Sequence, residues 1–432
     1  MNELAANLTA LRIGRRTHVG FGDETPTEIP FCPPSGNLAT KLENTPRYLF
    51  RVYSDASAGN NSSEWFKSID ALENNLTDIF ARDNAANIAI ALNEHLRWEP
   101  KSYGDPFISW TTSLLVAIQY AIYKHKAKGA ELEAIHLCII DTTMFPKGVF
   151  IRDLDLMEEF YDKVPRGQSI MVKGEGKTWE ARGLGDFRHF RNKPHKTYSG
   201  VYYFGEFLSQ GQINIIDRSS TVTCDKIINN ALFTLLPQFQ VELEGSKVRW
   251  AEAVVESRES FYMGIEPEET SASEFVAATT LALQFRSVWF LPVLANLLAL
   301  RPRAAQDPGI LDRISGFYSD ELRYSLSSKD IKIVANKTIP EVLQFGKIVH
   351  DINEAFWGES AHNLLRSVEE TAGIIRRFVT SSGTTGTSRL LGKSNPAGDL
   401  YTIEGKRLQP LMQLLETLNC IMQDLEEGTT ST

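Results

Sequence analysis

The sequence lacks most of the patterns that identify common site types. Its four cysteines, Cys32, Cys138, Cys224 and Cys420, are widely separated, so neither a disulfide framework nor a cysteine metal site is predicted. Neither a His-Glu-x-x-His motif nor a Walker phosphate loop occurs. We therefore expect no metal, and a reducing intracellular compartment.

A basic excess is also missing. Lys and Arg number 45 against 54 Asp and Glu, giving a net charge of −9, which argues against a broad nucleic-acid footprint. A local basic cluster lies at 188–196. The N-terminus has no apolar run typical of a secretory signal, so a cytoplasmic or nuclear location is expected.

One apolar run, Thr279–Leu300, is long enough to suggest a membrane span. It contains Gln284, Arg286, Pro292 and Asn296, and a charge at a bilayer centre costs roughly 2.5–3.5 kcal/mol. We predict a buried helix pair broken near Pro292, and no membrane association.

Composition divides the chain into three regions. Residues 1–44 are polar and proline-rich, which predicts an ill-ordered leader. Residues 45–225 mix short strands and helices without a regular βαβ period, which favours an α+β domain. Residues 226–432 have helical spacing and are predicted to form an all-α domain, with a flexible loop rich in Ser, Thr and Gly at 381–396.

Three predicted strands carry the chemically informative residues. Tyr48–Tyr53 contains Arg51, Phe107–Trp110 contains Ser109, and Val201–Leu208 contains Glu206. The other predicted elements of this region are a helix-spaced stretch Trp65–Leu96, strands Ile135–Ile140, Val149–Arg152 and Gln212–Ile216, and helices Leu114–Lys126 and Asp153–Tyr161. Helices predicted further on are Val254–Met263, Ala272–Leu300, Ile310–Leu326, Ile339–Trp357, Ala361–Val379 and Leu408–Leu425.

The order of an arginine, a hydroxyl cluster and a glutamate on successive strands resembles the ADP-ribosyltransferases of the Arg–Ser–Glu, cholera-toxin-like type. The hydroxyl cluster is Ser109, Thr111 and Thr112, and Gly211 follows Glu206 in a turn. A family of uncharacterised fungal proteins has a similar layout. The resemblance covers roughly residues 45–225 and implies a split β-sandwich with helices that uses NAD as a substrate.

Each residue type suits one part of NAD. A guanidinium binds two phosphate oxygens at once, and the resemblance places Arg51 at the phosphate or adjacent ribose. It implies that Ser109 holds the site together while Thr111 and Thr112 line the pocket. Glu206 would bind the ribose 2′-hydroxyl and stabilise oxocarbenium character as the nicotinamide bond breaks. Alone, each has an ordinary alternative: a surface ion pair for Arg51, a helix N-cap for the hydroxyls, a solvated carboxylate for Glu206.

Two residues depart from the family pattern. Trp110 stands where a threonine is common, and Phe204 stands two residues before Glu206, where members that modify arginine have Glu or Gln. We therefore expect an ADP-ribosyltransferase or NAD glycohydrolase that is not arginine-specific, with an unknown acceptor such as a protein. The alternative is a catalytically inactive domain that binds a partner protein through its helical half. An NAD-dependent RNA phosphotransferase is a third possibility, which the acidic balance disfavours.

Overall fold

A computed structural model describes residues 28–34, 36–99, 101–163, 170–174, 177–181, 183–193, 200–264, 266–315 and 339–355. The chain divides into two compact units, Met1–Glu359 and Ser360–Thr432. All described residues belong to the first unit. The predicted loop at 381–396 and the helices predicted beyond 360 lie outside the described residues.

A six-stranded antiparallel sheet forms the centre of this unit. Its strands are β1 (Tyr48–Tyr53), β4 (Phe107–Thr111), β5 (His136–Asp141), β6 (Ile151–Arg152), β9 (Glu206–Gln210) and β11 (Ser219–Thr223). They lie in the order β11-β5-β1-β4-β9-β6, so the strands that carry Arg51, Ser109 and Glu206 are adjacent. The register pairs Phe50 with Thr111 and Thr111 with Glu206.

A three-stranded sheet lies against one face of this sheet. It contains β2 (Asn60–Asn61), β3 (Trp65–Lys67) and β10 (Gln212–Asn214) in the order β10-β3-β2. Leu49, Trp110, Phe66 and Ile213 belong to the apolar core between the sheets. Gly211 joins β9 to β10 at φ +68°, and a Cβ there would lie 2.4 Å from Ile29, so this crossing requires glycine. A separate hairpin consists of β7 (Ile170–Gly174) and β8 (Lys177–Ala181).

Helices cover the opposite face of the large sheet, except for the short helix Ile69–Leu72, which follows β3 and contacts it. Those before β11 are α1 (Gly36–Lys41), α2 (Ile69–Leu72), α3 (Ala85–Leu96), α4 (Leu114–Lys128), α5 (Asp153–Phe160) and α6 (Leu184–Arg191). Those after β11 are α7 (Asn230–Leu235), α8 (Gln238–Glu244), α9 (Ala251–Arg258), α10 (Ala272–Ala282), α11 (Phe290–Leu298), α12 (Pro308–Ser315) and α13 (residues 340–355). One apolar cluster runs from Phe50 and Ile139 of the sheet through Ile118 to Leu281 and Ile352. The helices after β11 therefore share a core with the sheet, while the division predicted at 225/226 stays a prediction.

The predicted α+β class is confirmed, and several elements match closely. The strand Tyr48–Tyr53 has the predicted bounds, and α4 and β5 lie within two residues of theirs. The predicted strand Val201–Leu208 is wrong over its first half, because β9 begins only at Glu206. The stretch Trp65–Leu96 is also not one helix, since it begins with β3 and becomes helical for long only at α3.

The apolar run Thr279–Leu300 forms parts of two buried helices, as predicted, but the break is not at Pro292. It lies at residues 283–289, between α10 and α11. Pro292 is the third residue of α11, where its missing N–H costs no hydrogen bond. Among the described helices, none is both long and apolar enough to cross a bilayer.

The described part of the predicted ill-ordered leader packs onto the domain. Phe31 and Leu38 are buried, and the Phe31 N–H donates to the Gly148 carbonyl at 2.8 Å. Arg218 Nη1 donates to Glu28 Oε1 at 2.7 Å. Residues 1–27 lie outside the described part of the chain.

Candidate active site

Arg51, Ser109 and Glu206 meet at one place in the structure. Arg51 Nη1 donates to the Ser109 carbonyl at 2.8 Å, and Ser109 Oγ donates to Glu206 Oε1 at 2.7 Å. Three residues separated by up to 155 positions thus form one hydrogen-bonded row across β1, β4 and β9. The register pairs Thr111 with Glu206, so Ser109 and Glu206 lie diagonally on one face of the sheet, while Arg51 reaches the Ser109 backbone carbonyl from the other face.

The Arg51 side chain is anchored on the side of the small sheet. It lies on the face of β1 that packs on the small sheet, where Nη2 donates to Asn61 Oδ1 at 2.8 Å and the guanidinium lies 5.2 Å from the Phe66 ring centre. Burial lowers the pKa of Arg51 to about 10. Among the described residues, its Nε is buried without a hydrogen-bond partner and no carboxylate pairs with the guanidinium. A cation in this arrangement can pair with an anion.

Ser109 also contacts a histidine that the sequence analysis did not single out. His95 Nε2 lies 2.7 Å from Ser109 Oγ, and His95 Nδ1 lies 2.8 Å from Asp105 Oδ2. Burial alone would raise the pKa of Asp105, but His95, Lys101 and the Phe107 N–H together hold that pKa below its ordinary value. An ionised Asp105 fixes the imidazole orientation.

Two protonation arrangements satisfy this row. With a charged imidazole, His95 Nε2–H donates to Ser109 Oγ and the serine donates to Glu206. With a neutral one protonated at Nδ1, the serine hydroxyl donates to His95 instead. The state of His95 therefore decides whether Glu206 receives the serine hydrogen bond.

The second oxygen of Glu206 is paired with a cation. Arg191 Nη2 donates to Glu206 Oε2 at 2.7 Å, and Arg191 Nε lies 3.9 Å from Asp153 Oδ2. One guanidinium thus serves two carboxylates, the nearer being Glu206. Burial, followed by the charge of Glu206, raises the pKa of Asp153 to about 7 despite the opposing effect of Arg191.

Both predicted threonines bind the turn before Glu206. Thr111 Oγ1 donates to the Phe204 carbonyl at 2.7 Å, and the Thr112 N–H donates to the Gly205 carbonyl at 2.9 Å. Thr111 lines the cavity, whereas Thr112 is buried and is not among its lining residues. The structure thus brings Thr111 to the site with the trio and leaves Thr112 behind the turn; contact of either with a cofactor stays a prediction.

The two departures from the family pattern have structural explanations. Trp110 points between the sheets, where its indole N–H donates to Ser209 Oγ at 2.9 Å, because alternation places it opposite Ser109 and Thr111. Phe204 is buried with its ring 5.1 Å from the Arg191 guanidinium carbon and 5.5 Å from the Trp250 ring centre. Trp110 therefore belongs mainly to the core between the sheets and also forms part of the cavity wall, and Phe204 packs against the cation that binds Glu206.

All three trio residues line one open cavity of about 1260 Å³. Its wall near Glu206 carries His95, Asp105 and Arg191. Another part of its wall is aromatic and basic and includes Trp98, Tyr120 and Lys124. The volume exceeds the 300–1,000 Å³ typical of small-ligand pockets, so a dinucleotide-sized molecule has room.

A buried ion pair connects α13 with the turn before Glu206. Arg258 of α9 donates to Glu341 of α13 at 2.7 Å through Nη2, and Nη1 donates to the carbonyls of Tyr203 at 2.7 Å and Val201 at 3.1 Å. Ser113 Oγ, at the start of α4, donates to Glu341 at 2.5 Å. Residues far outside the three strands therefore position the strand that carries Glu206.

His95, Asp105, Arg191 and Arg258 were not predicted as site residues, although Arg191 was counted in the basic cluster at 188–196. Residues 194–199 of that cluster lie outside the described part. Only the short spacing from His95 through Asp105 to Ser109 was a usable signal. Among the described residues, no group of His, Cys, Asp and Glu is arranged to hold a metal.

Residues 44–215 match the model of a protein family described as a domain of unknown function (DUF7587). This match contains all three strands that form the row from Arg51 to Glu206. No curated protein matches the chain, and no solved structure does.

Proposed function

We propose that this protein cleaves the nicotinamide–ribose bond of NAD and acts as an ADP-ribosyltransferase or NAD glycohydrolase. The observation that carries the proposal is the continuous row in which Arg51 binds the Ser109 carbonyl and Ser109 binds Glu206, beside a cavity of about 1260 Å³. The large sheet, small sheet and covering helices agree with the split β-sandwich that the family resemblance implies.

Glu206 performs the central step. When the bond from ribose C1′ to the nicotinamide nitrogen breaks, its electron pair leaves with nicotinamide and the ribose gains oxocarbenium character. A carboxylate that accepts a hydrogen bond from the ribose 2′-hydroxyl stabilises this charge. A carboxylate has about four lone-pair sites, and Ser109 and Arg191 occupy one on each oxygen. The contact to ribose can therefore form without breaking either bond.

The other residues preorganise the site for the substrate. Arg51 lines the cavity and pairs with no carboxylate of the described residues, so its guanidinium suits a phosphate oxygen. The Asp105–His95–Ser109 row orients the Glu206 carboxylate. The carboxylate therefore needs little reorganisation when the substrate binds. Phe204 lies buried where arginine-modifying members carry an acidic or amide side chain, so the acceptor is water or a group other than arginine.

Incubation with NAD labelled in the adenylate and nicotinamide halves tests this proposal. We expect nicotinamide release by the wild type and a loss of at least about a hundredfold in Glu206→Ala, the order found for removal of one charge-stabilising group. Glu133→Ala, at an exposed glutamate of a 3-10 helix, is the matched control and should retain full activity. Equal nicotinamide release by wild type and Glu206→Ala would refute the mechanism.

The Arg191–Glu206 ion pair favours a second candidate function. A cation 2.7 Å from the carboxylate reduces the negative charge available to an oxocarbenium ion. In that case the domain is catalytically silent and acts as a protein-interaction module. Absence of nicotinamide release by both the wild type and Arg191→Gln would support this candidate. Nicotinamide release by the wild type would exclude it.

A further inference from the structure

The cavity wall away from Glu206 contains a group of aromatic side chains from three separate helical segments. We name this group the aromatic platform; it consists of Trp98, Tyr120, Tyr123 and Trp250, all of which line the cavity. Trp98 follows α3, the two tyrosines are three residues apart on α4, and Trp250 precedes α9. Their ring centres are 5.1–6.3 Å apart, so the rings touch and support each other.

Trp98 has two properties that core packing does not explain. Its side chain is 53% exposed. Its backbone has φ +58°, in the left-handed region that a bulky residue rarely adopts. Strain of this kind persists where the surroundings enforce it and is concentrated at ligand sites. The fold thus holds a large exposed ring on three supporting rings at the edge of the cavity.

A buried cation adjoins the platform. Lys124 is 7% exposed, its Nζ donates to Ser57 Oγ at 2.9 Å, and it lies 5.6 Å from the Tyr120 ring centre. Burial, with repulsion from Arg51 and Lys128, lowers the pKa of Lys124 to about 8. Among the described residues no carboxylate forms an ion pair with Lys124 or Arg51. Two neighbouring cations, one buried and one half-buried, that form no ion pair with a described carboxylate suit a bound anion.

The platform and the trio belong to one site. Tyr120 is close enough to Arg51 and Glu206 for both charges to act on its hydroxyl: burial raises the pKa of Tyr120, Arg51 opposes this, and Glu206 adds to it. His95, which contacts Ser109, lies three residues before Trp98, about one helical turn away. One ligand of dinucleotide size can therefore reach both walls.

We infer that Trp98 and Lys124 bind the adenylate half of NAD. The adenine ring stacks on the aromatic platform, and the adenylate phosphate pairs with Lys124. This inference depends on the proposed function, because that function places the nicotinamide ribose at Glu206. The nicotinamide ring of NAD is positively charged and is repelled by Lys124, which adjoins the platform. The adenine ring is neutral, so it can stack on the aromatic rings while the phosphate on its ribose pairs with Lys124.

Calorimetric titration of the full chain with NAD fragments tests the inference. The ligands are AMP, ribose 5-phosphate, which lacks the base, and nicotinamide mononucleotide, which lacks the adenylate. We expect Trp98→Ala to weaken AMP binding about tenfold or more, which is the effect of losing one base–aromatic stack. Trp98→Phe should weaken AMP binding less. Trp98→Ala should change the affinity of ribose 5-phosphate and of nicotinamide mononucleotide less than twofold. Lys124→Met should weaken the binding of both AMP and ribose 5-phosphate.

Two variants at exposed positions outside the cavity lining provide controls for the loss of a ring and of a charge. They are Tyr161→Ala, at a side chain that is 57% exposed, and Lys147→Met, and both should bind AMP like the wild type. Unchanged thermal unfolding shows that each variant is folded; if Trp98→Ala fails this check, Trp98→Phe and Lys124→Met carry the test.

The outcomes separate the inference from the proposed function. The adenylate assignment would be overturned if Trp98→Ala and Lys124→Met left the AMP affinity unchanged, or if they weakened only the binding of nicotinamide mononucleotide. Neither result would contradict NAD cleavage. Equal binding of AMP and ribose 5-phosphate by the wild type would leave only an anion site and overturn the role of the platform. Absence of NAD binding and of nicotinamide release would overturn the proposed function itself.

Discussion

Replacing Glu341 by glutamine should destabilise the domain far more than replacing a surface glutamate. The Glu341 carboxylate is 4% exposed and accepts from Arg258, whose side chain is fully buried, and from Ser113. Glutamine keeps the shape but removes the charge, and its amide protons face the donors of Arg258. An uncompensated buried guanidinium remains.

The expected cost is about 3–5 kcal/mol, the range for removal of one partner of a buried pair. At about 2 °C per kcal/mol, the scale for domains near 250 residues, the unfolding temperature should fall by roughly 6–10 °C. Differential scanning calorimetry of the full chain measures it. The matched control is Glu354→Gln on the same helix α13, where the glutamate is exposed and forms a 3.5 Å pair with His350.

A double-mutant cycle with Arg258→Met and Glu341→Leu separates the pair from its surroundings. Removing both charges should cost less than the sum of the single changes, because each single variant buries one unpaired charge and the double variant buries none. Some loss should remain, since the carbonyls of Val201 and Tyr203 lose their donor. If Glu341→Gln unfolds at the same temperature as Glu354→Gln, the reasoning that α13 is anchored by this charge is wrong.

Three further predictions concern the surroundings of Glu206. Gly205→Ala should destabilise the fold by at least about 1 kcal/mol in thermal unfolding, because φ is +66° and the new Cβ would lie 2.2 Å from Thr112 Oγ1; unchanged stability would contradict this. Asp153→Asn should remove a decline in stability between about pH 4 and 7: the raised pKa means that the native state binds more protons than the unfolded state, so wild-type stability falls as pH rises towards 7. Urea unfolding at several pH values checks this, and parallel profiles for both proteins would refute it. Asp105→Asn should lower NAD turnover without a comparable rise in KM, because His95 loses the charge that orients it; equal kcat values would count against the row.

The strand predictions succeeded where the local pattern alone determines structure. Tyr48–Tyr53 is a run of aromatic and β-branched residues, and this composition favours a strand whatever its neighbours. The three strands that carry Arg51, Ser109 and Glu206 were all predicted, and they prove to be adjacent. The start of β9 was missed because residues 201–205 are as apolar as a strand, but their carbonyls bind Arg258, Thr111 and Thr112 instead of a neighbouring strand.

The family resemblance singled out Arg51, Ser109 and Glu206, which the structure brings into one row. The amino-acid sequence by itself determined the α+β class, the bounds of β1 and the buried character of the run around Pro292. These depend on side-chain periodicity and residue type within short segments. Only the tertiary structure decided that His95 and Arg191 contact this row, that Glu341 anchors the turn before it, and that Trp98 stays exposed in a strained conformation. Such contacts join residues far apart in the chain, and they follow from how the sheets and helices pack rather than from any local pattern.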